Sequence, residues 1–317
     1  MANITRDANF TNKLNQALNT LPVGILEFLS VLNIFLSITA SLGNALILTA
    51  FHRVSSIHPP TKLFLQCLAV TDLCIGLIAE PLNVTYLMFF LTNMDLKAVY
   101  YVYEACASSS MILCGVSIFT LTAISVDRLL ALLLGLRYRH VVTLRRVRVA
   151  IICFWFIGAW GAAIWVWRED IAKQETFAAI ILSLLTSIFN YTWIHLKLRH
   201  QQTQVQNRVL QGQPNGGGIP LNIARYKKSV SSTLWVQWAL AACYIPLTNV
   251  AVLGVNRRTE DLVHNVYING IEYDIAWSTA TTLVYLNSSL NPILYCWKIR
   301  EVRQQVKDTI RQLYWST

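Results

Sequence analysis

Asp72 stands in the stretch "LAVTDLCIGL", among residues that otherwise offer almost only hydrocarbon. An ionisable side chain in such a span costs about 2.5–3.5 kcal/mol on insertion scales, so it marks function by default. A second anomaly closes the chain's last apolar run. "LNSSLNPILYCWK", Leu286 to Lys298, carries Asn287, Ser288, Ser289, Asn291 and Pro292. Depth can be counted from the basic end of each run at the helical rise. Asp72 lies nine residues in from Leu63, ~14 Å; Asn291 six in from Trp297, ~9 Å; Ser117 eleven in from Arg128, ~16 Å; Asn44 seven in from Phe51, ~10 Å. Four polar groups from four runs thus reach similar depth and can converge, with Asn287 and Ser288 one turn further out from Asn291. Pro292 lacks an amide hydrogen, so it frees a carbonyl and bends its helix. Spacing leaves two readings open. One is a polar knot that only ties helices together, worth ~1 kcal/mol per bond. The other is a carboxylate among neutral oxygens that holds a small cation, with Na⁺ the natural candidate.

The elements that must position these groups are seven apolar runs: roughly Phe28–Phe51, Leu63–Leu91, Val99–Leu134, Val149–Trp167, Phe177–Leu196, Val230–Val255 and Ile275–Trp297. Each is long enough to cross ~30 Å of hydrocarbon as a helix. Runs one, two and four are the clearest, and run five, with Asn190 and His195, the weakest. The chain is 55% hydrophobic, beyond what a soluble surface tolerates. The runs do not alternate as barrel strands would. The fold class is therefore an all-α membrane protein, a seven-transmembrane helix bundle with a short amphipathic eighth helix. Residues 1–27 form an extracellular N-terminus, 28–297 the bundle, and 298–317 a cytoplasmic amphipathic helix and tail. In that tail Ile299, Val302, Val306, Ile310 and Leu313 share one face.

Lys and Arg cluster after runs one, three, five and seven, among them Arg53, Arg137, Arg145, Lys197 and Arg300, whereas Asp95, Glu169, Asp170 and Glu260 lie at the opposite ends. The positive-inside rule puts the N-terminus outside and the C-terminus in the cytoplasm. The net +10 is this topological signal beside anionic lipid, and calls for no nucleic acid. Asn3 in "NIT" and Asn9 in "NFT" are glycosylation acceptors on the outer side. The polar first 27 residues show no cleavable signal peptide. All seven cysteines fall within the runs, so no extracellular disulfide framework is expected. The connection from Arg168 to Glu175 reads as a very short outer loop, and Gln211 to Pro220 as a flexible inner linker.

"GN" at Gly43–Asn44, "LAVTDL" at Leu68–Leu73, "SVDRLLAL" at Ser125–Leu132, Trp155, "CYIP" at Cys243–Pro246 and "NPILY" at Asn291–Tyr295 occur in order, in runs one, two, three, four, six and seven. Together they resemble the rhodopsin-like family of G-protein-coupled receptors over nearly the whole chain. The resemblance implies an allosteric sodium pocket at Asp72, Ser117, Asn287, Ser288 and Asn291. It implies an ionic latch at Asp127 and Arg128, where an arginine that snorkels to the interface is the plainer alternative. Tyr191 and Tyr295 would swing toward Arg128 on activation. Tyr244 takes the toggle position, and Pro246 and Pro292 lie at helix bends. The implied partners are an extracellular ligand, a heterotrimeric G protein, membrane lipid and arrestin, the last left open by the few tail hydroxyls Thr309, Ser316 and Thr317. The implied location is the plasma membrane.

Several positions depart from the family pattern. Leu129 replaces the tyrosine after the latch arginine, Tyr244 the usual tryptophan, and Ser183 a common proline. Tyr226 stands where many members place an acid that grips the arginine, which predicts a looser inactive state. Tyr103 occupies the place of the outer cysteine of run three, a pattern that with the short loop is similar to the melanocortin, cannabinoid and lysophospholipid receptors; the chain as a whole resembles these and the adenosine receptors. Tyr285 stands where opsins carry the retinal lysine, so covalent retinal is excluded. Ser110 stands where monoamine receptors carry an aspartate, which disfavours a monoamine. Ala251 replaces an adenosine-recognising asparagine. The ligand-pocket candidates are Glu80, Ser110, Cys114, Tyr244 and Tyr285, with Glu80 interior and Glu104 interfacial and solvated. The main competing class is an ion-coupled transporter or channel that uses Asp72; no internal repeat supports it. No metalloprotease motif or nucleophile arrangement suggests an enzyme.

Overall fold

The structure, a computed structural model, describes residues 23–92, 96–210, 238–250 and 269–315. Every element there is helical, with no strand among the described residues. Helix α1 spans Val23–Arg53. Helix α2, Pro59–Cys74, starts on two prolines, whose missing amides cost nothing in a first turn. It passes through a π turn, Ile75–Ala79, into α3, Glu80–Thr92. Helix α4 is Leu96–Leu134, α5 the single turn Tyr138–Val141, and α6 Leu144–Trp167. Thr143 caps α6 by accepting from the Arg146 amide at 3.4 Å. Helix α7 is Glu169–Leu210, α8 Trp238–Val250, α9 Asn269–Lys298 and α10 Arg300–Trp315.

Five helical segments are long and apolar enough to cross a membrane: Val23–Arg53, Pro59–Phe89, Lys97–Val141, Leu144–Trp167 and Ile171–Gln201. They correspond to runs one to five. Run five therefore meets the criterion it was expected to meet least well. Helix α9, in run seven, is the one whose polar residues keep it out of that set. Run six is described only in α8. Asn3, Asn9, Tyr226, Ala251, Ser316, Thr317 and the linker 211–220 lie outside the described residues.

The distribution of side chains inverts that of a soluble protein. Phe28, Phe35 and Leu42 of α1, Phe156 and Trp160 of α6, and Leu182 and Phe189 of α7 face outward, while Asn33, Asn44, Asp72, Ser117 and Asn291 are buried. Lipid welcomes the first group, and only a bundle interior can satisfy the second.

Two glycines let the helices approach. A Cβ on Gly43 would stand 2.9 Å from Pro292 Cγ, so α1 and α9 meet where the proline ring needs room. A Cβ on Gly76 would stand 2.7 Å from Ser41 Oγ. Ser37 instead donates to the Gly76 carbonyl at 2.6 Å, inside the π turn.

The expected outer loop Arg168–Glu175 is a correction. Only Arg168 is non-helical, and α7 begins at Glu169. An acidic first turn suits a helix N-terminus, and Lys173 answers Glu169 one turn later at 2.6 Å. The tail forms the expected helix with a modified face. Val302 is buried, Ile299 and Val306 pack on the core, and Thr309 is buried, but Ile310 is turned outward. Arg53 of α1 ties the tail down through Gln312 at 2.9 Å.

Candidate functional site

Asp72 is wholly enclosed. Its Oδ1 accepts from Ser288 Oγ at 2.9 Å and its Oδ2 from Asn291 Nδ2 at 2.7 Å, so the carboxylate joins α2 to α9. Pro292 completes the joint in a way that follows from its chemistry. Without an amide hydrogen it cannot bond the carbonyl four residues back, which is that of Ser288. Asn44 Nδ2 of α1 takes up that carbonyl at 3.0 Å, while also donating to Ala40 O at 2.9 Å. Depth counting grouped Asp72, Asn291, Ser117 and Asn44, with Asn287 and Ser288 able to join; the structure bonds Asp72, Asn291, Ser288 and Asn44 together, and gives Ser117 Oγ and Asn287 Oδ1 no hydrogen bond.

Asn44 and Asn291 of the cluster, and Asn287 and Ser117 on α9 and α4, leave acceptors to spare. Asn44 Oδ1, Asn287 Oδ1, Asn291 Oδ1 and Ser117 Oγ are buried and have no hydrogen-bond partner. Buried polar oxygens are seldom left so. Hard oxygen donors around one carboxylate suit a small cation such as Na⁺. The donor set therefore fits the expected ion.

A second carboxylate lies near the C-terminal end of α4. Asp127 accepts from Thr61 Oγ1 at 2.9 Å, from Arg128 Nε at 3.2 Å and from the Tyr138 hydroxyl. Arg128 also donates to Thr61. The Tyr138 ring packs on His58 with centroids 5.1 Å apart. Burial lowers the His58 pKa, against the pull of nearby Asp127. Thr61 and Tyr138 were not singled out from sequence. The signal that could have found them is that a buried carboxylate needs several donors, and a hydroxyl eleven residues along the same strand of chain is within reach.

Tyr191 and Tyr295 pack in different clusters. Tyr191 packs with Ile194 and Leu198 against Leu129 and Leu132 of α4. Tyr295 stands edge-on to Phe51 of α1, at 5.8 Å between centroids, with its hydroxyl buried and unpartnered. Pro246 is half-buried in α8. Asn190, which weakened run five on paper, donates to Ser125 Oγ of α4 at 3.0 Å and so has a structural reason to be there.

The ligand-pocket candidates occupy the other half of the bundle. Ser110 and Tyr285 share a hydrogen bond of 2.7 Å between α4 and α9. Tyr244 of α8 is buried, within hydrogen-bonding reach of Cys114. Tyr285 packs with Ile75, Ala79 and Leu113, and with Cys114 and Trp155 at the edge. Glu80 is wholly enclosed, as expected. Glu104 is half-buried on α4. Tyr103 fills the place of the absent cysteine with aromatic packing, 5.4 Å from Tyr86 and 6.1 Å from Trp165. Lys173, not anticipated, sits 5.5 Å from both the Trp165 and Trp277 rings and pins α6 and α9 to the start of α7.

Residues 43–175 match the 7 transmembrane receptor (rhodopsin family). The chain is 22% identical over 293 residues to trace amine-associated receptor 9 of Homo sapiens, covering 82% of this chain and 78% of the relative. It is 23% identical over 289 residues to adenosine receptor A3 of Bos taurus, covering 86% of each. It is 24% identical over 286 residues to melanocortin receptor 4 of Danio rerio, covering 86% of this chain and 81% of the relative. The match and these relatives together support a rhodopsin-like seven-transmembrane receptor. As a receptor of that family it is a G-protein-coupled signalling protein of the membrane, and the transporter alternative is not favoured. The named ligands of these relatives differ among themselves, so the family does not name this receptor's own.

Proposed function

We propose that the receptor binds its ligand in the outer half of the bundle, between α3, α4, α8 and α9, and passes the event to a heterotrimeric G protein at the inner end of α4. The N-terminus, carrying the Asn3 and Asn9 acceptors, is outside; the basic ends, with α10 on the lipid surface, are cytoplasmic. Ligand and G protein both favour the state in which the inner end of α8 is displaced, so each strengthens binding of the other.

The observation that carries this is the sharing of Asp72 between α2 and α9, with Asn44 of α1 bonded to the carbonyl that Pro292 leaves free. Such a joint has two arrangements, because breaking either bond leaves a buried polar group to be satisfied elsewhere. Asp72, Ser117, Asn287, Ser288 and Asn291 would hold Na⁺. A bound Na⁺ would supply positive charge against Asp72 and favour the arrangement that keeps the spare oxygens together. The Asp127–Arg128 pair is the inner latch, closed by Thr61 and Tyr138. Pro246 and Pro292 are the bends about which α8 and α9 rearrange, with Tyr191, Tyr244 and Tyr295 as the rings that relocate. Thr309 is buried against α1, so arrestin recruitment would fall to Ser316 and Thr317.

The test is G-protein dissociation in cells, basal and across a ligand screen, for wild type and Arg128→Ala. The variant should reach the surface normally and lose coupling. Coupling retained at wild-type level at equal surface expression would overturn the proposal.

A further inference from the structure

Glu80 has no role in the polar joint, yet it is as deeply enclosed as Asp72. Neither of its carboxylate oxygens has a hydrogen-bond partner. It lies within electrostatic reach of both Asp72 and Cys114, so it faces the bundle axis. The cause is the π turn. In an unbroken α-helix, a residue eight places after Asp72 would point about 80° away from it, because eight steps of ~100° make ~800°. The π turn Ile75–Ala79 lies between the two. Its i→i+5 bonding absorbs one extra residue. The advance becomes that of seven steps, roughly 700°, which returns Glu80 to within about 20° of the Asp72 direction, two turns further out. The turn is itself braced, by the bond from Ser37 to the Gly76 carbonyl.

The two carboxylates share a face but have different surroundings. Asp72 is bonded by the polar groups of Ser288 and Asn291, with Asn44 on the Ser288 carbonyl beside them. Glu80 directly follows Ala79, which packs in a cluster with Ile75, Leu113 and Tyr285 and whose carbonyl accepts from the Cys106 thiol, and the Cys114 thiol is within its electrostatic reach. Carbon, rings and thiols are poor ligands for a hard inorganic ion, which needs several oxygens. They are good company for an organic cation, whose carbons pack on apolar walls and whose charge needs one carboxylate and an aromatic face.

We propose that Glu80 is the anchor for an ammonium group on the extracellular ligand. This rests on the outer half of the bundle being the ligand cavity. It does not require the monoamine arrangement, since the α4 position is Ser110, already bonded to Tyr285. The Ser110–Tyr285 bond spans α4 and α9, and the Cys106 thiol continues the chain from Tyr285 to the carbonyl of Ala79, the residue before Glu80. An arriving ammonium has to open that bridge. Ligand entry thereby acts on α9, the helix that holds Asp72.

The test uses the purified full-length receptor in phosphatidylcholine nanodiscs, in a constant KCl background. Its apparent melting temperature is titrated with primary ammonium compounds from methylammonium to phenethylammonium, with the matching alcohols as neutral controls, and separately with NaCl. The aryl ammonium ions should raise the melting temperature saturably and the alcohols should not. Glu80→Gln should weaken the ammonium midpoint at least tenfold and leave the NaCl response intact. Asp72→Asn should do the reverse. Tyr285→Phe, which removes the bridge, should sharpen the ammonium midpoint. Should Glu80→Gln fold poorly, Glu80→Asp keeps the charge at shorter reach and should shift the midpoint severalfold. No response to any ammonium compound in wild type, or an unchanged midpoint in the Glu80 variants, overturns the proposal. A Glu80-dependent response to NaCl alone overturns it in favour of an inorganic ion. An NaCl response that survives Asp72→Asn unchanged counts against the Asp72 pocket and leaves Glu80 to be judged on the ammonium arm.

Discussion

Asn44 and Pro292 come from opposite ends of the chain, yet the structure makes one depend on the other. Asn44 Nδ2 donates to the Ser288 carbonyl at 3.0 Å, and that carbonyl is free because Pro292 has no amide hydrogen. Asn44→Ala removes a bond between helices, worth about 0.6 kcal/mol on average and up to ~1.7 in a membrane bundle. It also strands the carbonyl, which costs about 1–3 kcal/mol when nothing replaces the donor. A loss of roughly 1–3 kcal/mol is therefore expected. Pro292→Ala restores an amide that can reach the same carbonyl. In that background Asn44 is redundant, so Asn44→Ala should cost at least about 1 kcal/mol less than in wild type, within the range of coupling energies between contacting residues. The assay is unfolding of the four cycle members by sodium dodecyl sulfate in mixed micelles, followed by intrinsic fluorescence. Strict additivity of the two substitutions would refute the idea that the proline's missing bond is what Asn44 serves.

Two further outcomes follow from contacts on the same axis. Gly43→Ala places a methyl group 2.9 Å from the Pro292 ring, which cannot rotate away. Overpacking of this kind costs about 1–3 kcal/mol, measurable in the same unfolding assay, and Pro292→Ala should relieve part of it. Tyr138→Phe removes a donor from Asp127 while keeping the ring on His58. A bond to a charged acceptor is worth about 1.5–3 kcal/mol, so basal G-protein dissociation should rise; an unchanged basal level at equal surface expression would show that Tyr138 does not help to hold the latch.

The joint was legible in the sequence because helices have a fixed rise. Counting from the basic ends gives depth, and depth was enough to bring Asp72, Asn44 and Asn291 together, while Ser117, counted at the same level, makes no hydrogen bond to them. Rotation about each helix axis was not legible in the same way. The π turn after Cys74 depends on how α1 packs against Gly76, a contact between residues about forty apart, and it alone decides that Glu80 faces inward. The one-residue turn at Arg168 was hidden because Glu169 to Glu175 reads as a polar loop; one i,i+4 pair and the aromatic seat of Lys173 turn it into helix. Tyr138 and Thr61 were missed for a related reason. A hydroxyl in a basic inner segment carries no periodicity, and its role appears only once the chain has folded back on Asp127.

The central claim is that Asp72 works as a charged, shared group inside the bundle. Its most direct measurement is the apparent melting temperature of the full-length receptor in nanodiscs, titrated with NaCl against an equal concentration of KCl, for wild type and Asp72→Asn. The account predicts a saturable rise with Na⁺ in wild type that disappears in Asp72→Asn. The same Na⁺-dependent rise in both proteins, or in neither, would contradict it.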